Sequence, residues 1–273
     1  MQETEAQKRE RRHREDLERL RGFRPIDDTF MRGLFKDNIP LAELVLRIIV
    51  GKPDLTLVQA DLKRVTGARS VCLDAYATDN TGKKYDIEIQ RADNGADPHR
   101  ARYHSSALDV ENLDEKQEYR ELPDSYVIFI TENDYYKAGE PVYVIQNMNL
   151  TLGQPFGDGA HILYVNGQYR GDSDIGRLMH DFNCTKAEDM NFELMAERTR
   201  YLKENPKGVG AMCKVMEELR VESFTEGREE GRVEQAKATA LKMSQKGMSI
   251  DEISELVGFS IKTVTEWLAP KAC

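Results

Sequence analysis

The sequence predicts an α/β protein, a mixed β-sheet flanked by helices with an all-helical C-terminal extension. Three observations carry that expectation. The stretch 71–90, VCLDAYATDNTGKKYDIEIQ, alternates apolar and polar residues on both sides of an Asn80-Thr81-Gly82 turn, as a β-hairpin does. Beyond it, SYVIFITEND from Ser125, PVYVIQNM from Pro141 and HILYVNGQY from His161 are rich in β-branched and aromatic residues, and a helical stretch separates them from the hairpin. After Asp174 the strand signals stop and helical ones take over.

Taken in order, residues 1–24 are an arm of interleaved Arg, Lys, Glu and Asp with no apolar face, expected as a charge-rich solvated helix or an unstructured arm. From Ile39, Leu41, Leu44, Val45, Ile48 and Ile49 recur at helical spacing, with Asn38 as the expected cap and Gly51 and Pro53 as the stop. Leu55 to Val65 supplies a strand that precedes the hairpin. Pro98 to Leu122 reads as a helix returning the chain across the sheet, with Arg100, Arg102, Tyr103 and His104 near its start. The runs from Ser125 and Pro141 are nearly continuous in apolar residues, the pattern of strands buried on both faces. Helices are expected at Ile175–Phe182, Phe192–Glu204 and Val209–Glu222, with Asn205-Pro206 and Gly208 as breakers. GREEGR, 227–232, reads as a solvated linker or weak helix. A small unit follows, in which Ser249 and Glu252 form a capping box, Gly258 turns the chain and Ser260 caps a last helix, as in a helix-turn-helix or a helical hairpin that packs or oligomerises. The expected division is therefore an arm (1–24), a sheet domain (25–182), a helical extension packed on it (183–225), and a linker with a helical tail (226–273).

Composition narrows the function. With 40% hydrophobic residues the 273-residue chain can bury a real core. Its net charge of −9 argues against general polyanion binding, so contact with DNA needs a local basic patch. Cys72, Cys184, Cys213 and Cys273 are far apart, and with no C-x-x-C and no H-E-x-x-H the spacing does not predict a zinc site. No stretch approaches a membrane span and no apolar run follows the first Met, so the expectation is a soluble cytoplasmic protein.

The hairpin is where chemistry is expected. Tyr85, Ile87 and Ile89 share one face of its second strand, and Asp86, Glu88 and Gln90 share the other. A three-residue loop with Gly82 in the left-handed position sets Asp79 opposite Lys83, and the same register sets Asp74 opposite Glu88. Facing carboxylates have Cβ atoms roughly 5 Å apart and repel unless a cation neutralises them. Mg²⁺ suits such a pair, because it takes one or two carboxylates with water and phosphate oxygens. An ordinary hairpin with a solvated polar face fits the same alternation.

On Asp74, Glu88 and Gln90 the chain resembles the PD-(D/E)XK nucleases, in the branch of recombination-promoting nucleases and transposases. The likeness runs from about Pro25 to Glu222, through RARYHSSALD and GRLMHDFNC, and into the tail. It implies a restriction-endonuclease-like fold and a Mg²⁺ (or Mn²⁺) dependent DNA endonuclease of mobile elements. Asp74 and Glu88 would ligate metal, with the backbone oxygen of Ile89 completing the shell, Gln90 positioning the attacking water, and Glu43 on the preceding helix assisting. The residue types depart at two places. Leu73 stands where the pattern has Pro, and Gln90 stands where it has Lys, an amide that can bind water but carries no charge. Arg100, Arg102 and Tyr103 are candidate DNA contacts, and solvated residues at a helix start fit equally. Glu43 lies one turn before Arg47, where a surface ion pair is the plainer expectation. Two rivals stay open. One is a catalytically degenerate DNA- or protein-binding member of the fold, which Gln90 and the acidic surface favour. The other is a structural protein that oligomerises through its C-terminal helices.

Overall fold

The computed structural model describes residues 4–65, 71–91 and 93–269, and the side chains of these except 61–65, 71–74, 93–94 and 226. Strands β1 (Leu57–Val65), β2 (Val71–Asp79), β3 (Lys84–Gln90), β4 (Ser125–Thr131), β5 (Val142–Ile145) and β8 (Ala160–Asn166) form one sheet in the order β1-β2-β3-β4-β8-β5. β1, β2 and β3 run antiparallel as a meander, whereas β3, β4 and β8 are parallel. β5 pairs antiparallel to β8 at the edge, and β6 (Met148–Asn149) with β7 (Gln154–Pro155) makes a separate small ribbon. Parallel neighbours need a crossover, and helix α4 (Pro98–Glu111) provides the one from β3 to β4.

Two layers of helix cover this mixed α/β sheet. On one face α2 (Asp28–Phe35), α3 (Ile39–Val50), α5 (Asp174–Phe182) and α6 (Glu193–Glu204) enclose the larger core, in which Phe30, Leu41, Val45, Leu178, Phe182 and Met195 meet Tyr85, Ile87 and Ile89. On the other face α4 packs Ala101 and Leu108 against Val127, Phe129 and Tyr164. Strand alternation divides β3 between these layers, which sends Asp86 and Glu88 toward α4.

The expected signals place most ends. Asn38 caps α3 through the Leu41 N–H, and Gly51 ends that helix with φ +70°. The hairpin has the expected register: Ala75 faces Ile87, Thr78 faces Lys84, the Asp79 N–H donates to the Lys83 carbonyl, and Gly82 has φ +88°. The turn is held by Asp79, whose Oδ1 accepts the Thr81 N–H, the Thr81 hydroxyl and the Lys83 N–H, and whose Oδ2 accepts the Tyr85 hydroxyl at 2.8 Å. Those bonds hold its carboxyl below the usual range although burial pushes the other way. The arm carries helix α1 (Glu5–Gly22), anchored by the buried Leu20.

Two expectations are corrected and one open choice is decided. The helix from Pro98 ends at Glu111 rather than near Leu122, because the Asn112 amide donates to the Leu108 carbonyl while its oxygen accepts the Tyr76 hydroxyl. β5 is not buried on both faces: it is an edge strand whose Val144 and Ile145 are exposed. Of the two readings of GREEGR, solvated linker or weak helix, the helical one holds: it lies inside α7 (Pro206–Gln245), a single 40-residue helix. Glycine in a helix costs only about 1 kcal/mol relative to Ala, and the Glu229–Arg232 ion pair adds i,i+3 support.

The chain divides into two compact units, 1–216 and 217–273. In the second, α8 (Ile250–Val257) carries the Ser249–Glu252 capping box, Gly258 turns at φ +72°, and Ser260 caps α9 (Ile261–Leu268). Its core is Ala240, Ile253 and Val264, with Trp267 and Phe259 packed around them. Among the described residues no helix is long and apolar enough to cross a membrane.

Candidate active site

β3 and α4 build the site together. Asp97 caps α4 by accepting the His99 N–H at 2.7 Å, and Pro98 opens the helix, which fixes the residues of its first turns over β3. The buried stripe of α4 is Ala101, His104, Ser105 and Leu108. Ala101 and Leu108 join the apolar layer, and His104 lies between them, edge-on to Phe129 and above the polar face of β3.

Asp86 and Glu88 are both fully buried there, at 0% exposure. His104 Nδ1 is 3.0 Å from Asp86 Oδ2 and 3.6 Å from Glu88 Oε1. Arg100, at the third position of α4, donates from Nη2 to Glu88 Oε2 at 3.2 Å, from Nη1 to Gln90 Oε1 at 3.5 Å, and from Nε to His104 Nε2 at 3.4 Å. An arginine nitrogen can only donate, so His104 Nε2 is the acceptor and Nδ1 carries the hydrogen that Asp86 receives. Burial lowers the His104 pKa, opposed by Glu88 and reinforced by Arg100, which suits a neutral ring of that tautomer. The cluster thus counts two carboxylates against one guanidinium.

Gln90 lies at the rim, with its side chain across Gly95: a Cβ there would stand 2.0 Å from Gln90 Oε1. The strand end behind it is fixed by its neighbours. The Gln90 carbonyl accepts the Glu132 N–H at 3.1 Å, and Arg24, Arg91, Asp27 and Glu132 form an ion-pair network beside it. Despite partial burial, the two arginines hold the Glu132 carboxyl low.

The other expected residues fall as follows. Asp74 lies on β2 one position past the last pair of the hairpin ladder, and its side chain is outside the described residues. The Ile89 side chain is buried in the larger core. Glu43 is not brought to the cluster. It belongs to α3, in the layer packed on the opposite face of β3, where Oε1 accepts the Leu57 N–H at 2.7 Å and Oε2 pairs with Arg47 at 3.0 Å. Arg102 and Tyr103 are exposed on the outer side of α4. Asp86 and His104 are the two members of the cluster that sequence reasoning did not assign. Asp86 was legible as sharing the face of Glu88, whereas His104 was noted near the start of its helix without a role.

Ligand atoms of Asp86, Glu88 and His104 lie within 4.8 Å of one another. Two buried carboxylates side by side fit a divalent cation, since an added positive charge offsets what burial costs them. With Nδ1 protonated, His104 serves as the hydrogen-bond donor that orients a ligating carboxylate. A second group, His180, Asp181 and Cys184, differs in kind. Both Asp181 oxygens already accept backbone N–H groups of Asn191 and Phe192, and burial beside Asp181 and Asp189 pushes the Cys184 thiol up to about 11.

Residues 54–168 match the family described as PD-(D/E)XK nuclease family transposase. The matched segment runs from just before β1 to just after β8, so the sheet, α4 and the Asp86–Glu88–His104 cluster lie inside it. It is shorter than the likeness read from the sequence, and the arm, α5 to α9 and Glu43 lie outside it. The mixed sheet flanked by helices is the fold of this family, whose members generally use a divalent metal and act on DNA. No curated protein and no solved structure gives a significant match.

Proposed function

We propose that the α4 face of the hairpin is the centre of a metal-dependent DNA endonuclease related to mobile elements, hydrolysing a phosphodiester with metal-activated water. The observation that carries this is the pair of fully buried carboxylates, Asp86 and Glu88, gathered with Arg100 and Gln90 at a rim open to solvent. Glu88, with Asp74 across the hairpin and Asp86 beside it, would hold Mg²⁺ or Mn²⁺, and the Ile89 carbonyl is a further candidate ligand. The bound cation would lower the pKa of an attacking water and neutralise charge on the phosphoryl group. Gln90 would orient that water through its amide oxygen, and His104 keeps Asp86 aimed. Glu43, bonded to Leu57 and Arg47 on the other layer, would act at most through the strand it tethers. Arg102 and Tyr103, exposed on the outer side of α4, are the proposed backbone contacts to DNA, and Arg100 reaches the acids themselves. The C-terminal unit would engage DNA or pair copies of the chain, and the protein would work in the cytoplasm.

A specific observation favours a second reading, a binding protein without turnover: Gln90 brings no charge, and Arg100 stands against Glu88. Nicking of supercoiled plasmid in Mg²⁺ or Mn²⁺ decides. Metal-dependent nicking that Asp74→Asn and Glu88→Gln both abolish supports the nuclease, whereas tight metal and DNA binding with no nicking supports the second reading.

A further inference from the structure

We infer that Arg100 is the catalytic cation of this site, contacting the scissile phosphate from α4 where Gln90, on the strand, has no charge to give. The inference rests on the nuclease reading above. Phosphodiester hydrolysis builds negative charge on the phosphoryl oxygens, and enzymes meet it with preorganised positive groups and hydrogen-bond donors. On β3 the polar face begins with Lys84, whose ammonium donates to the Thr78 hydroxyl and lies over the Tyr76 ring at the far end of the strand, and continues with two carboxylates and an amide, none of them a cation. Among the described residues the guanidinium that reaches this face is that of Arg100, within hydrogen-bonding distance of both Glu88 and Gln90.

Three features fit Arg100 to the role. Its contacts to Glu88, Gln90 and His104 use three of the five N–H groups a guanidinium carries, one on each nitrogen, which leaves one on each terminal nitrogen. Its side chain is 42% exposed while Glu88 is at 0%, so the anchored guanidinium turns its remaining donors toward solvent, where a phosphate would arrive. Its position in the first turn of α4 sets a positive charge at the positive end of the helix dipole, a placement that costs stability unless a partner compensates. The buried acids supply that compensation, and His104, lying between Asp86 and Arg100, fixes the direction of the side chain. With a divalent cation bound, the cation and Arg100 together offset the charge of Asp74, Asp86 and Glu88, so the site no longer repels a phosphodiester.

A charge swap tests this. Arg100→Gln, Arg100→Lys and the double variant Arg100→Gln with Gln90→Lys are compared with wild type for kcat and KM on duplex DNA in Mn²⁺ and Mg²⁺, and for the metal concentration that half-saturates the rise in melting temperature. Arg100→Gln should lower kcat on the order of 10²–10³-fold, the usual loss for one transition-state donor, with KM within threefold and metal bound no more weakly, since a competing cation is gone. The double variant should recover at least tenfold of that loss, because lysine at position 90 returns the charge to the same spot, and Arg100→Lys should fall between. Four results overturn the assignment: an unchanged kcat in Arg100→Gln, a loss confined to KM, weaker metal binding, or no recovery in the double variant. A wild type that binds metal and cuts nothing overturns the nuclease reading and the role of Arg100 with it, whereas a wild type that cuts while Arg100→Gln cuts equally overturns Arg100 alone.

Discussion

Replacing Asp79 should unfasten the hairpin that aligns the site, and the size of the effect follows from its bonds. Asp79→Ala removes the acceptor of four hydrogen bonds. Thr81 is exposed at the turn, so its donors recover water, at a net cost of about 0.5–1.5 kcal/mol per bond. The Tyr85 hydroxyl does not, because Tyr85 is at 0% exposure, and orphaning it costs about 1–3 kcal/mol. Together this is on the order of 3–5 kcal/mol, or about 6–20 °C in Tm at about 2–4 °C per kcal/mol for a unit of this size. Tyr85→Phe, which deletes the donor and leaves the other three bonds, should lose only about 1 kcal/mol. Acid gives an independent check. The folded carboxyl titrates below its ordinary value of 3.8, so in the window beneath 3.8 the unfolded chain binds the proton first and stability falls as pH drops. The advantage of wild type over Asp79→Asn should therefore be full at pH 6 and shrink through that window. Thermal melts from pH 6 to pH 3 measure both. A loss under 1 kcal/mol in Asp79→Ala, or a wild-type advantage over Asp79→Asn that is constant with pH, would refute the account.

Other perturbations read the site and the domain boundary. In Glu88→Gln the stabilisation by Mg²⁺ or Mn²⁺, about 2.7 kcal/mol for wild type at a hundredfold excess over Kd, should largely disappear; equal shifts in mutant and wild type would remove Glu88 from the metal site. Gly95→Ala places a Cβ on the Gln90 amide, the far end of a flexible side chain, so Tm should move little while cleavage falls; unchanged cleavage would mean Gln90 does not act from where it lies. Truncation after Ser223 keeps all of the first unit, 1–216, and should leave its melting intact while removing DNA or partner engagement by the tail. An insoluble or unfolded product would show that the two units are one core.

Local rules made the hairpin legible down to its register. Strand period and a glycine-bearing turn decide which residues face each other, and both are written within twenty residues. The helix caps at Asn38, Ser249 and Ser260 were equally local. The misreadings have a common cause in tertiary position. PVYVIQNM looks like a buried strand because its residues are apolar, and only the strand order makes β5 an edge. The site was half legible for a sharper reason. A helix that covers buried carboxylates must present polar groups to them, so the inward stripe of α4 contains His104 and Ser105, and the apolar period that would have announced a packed face is broken where the chemistry lies. Glu43 shows the converse: order along the chain made it a candidate, and the layer it occupies ties it to Leu57.

The parallel pairing of β3 with β4 also bears on how the chain folds. β2 and β3 close through the short turn at Asn80-Thr81-Gly82, whereas β4 can join only after the α4 crossover has been threaded and docked, a slower, non-local step. Until that docking, Asp86 and Glu88 sit on an open sheet face in water. Their dehydration therefore falls on the same event that brings Arg100 and His104 down upon them, so the assembly of the site and the closing of the sheet are one kinetic act.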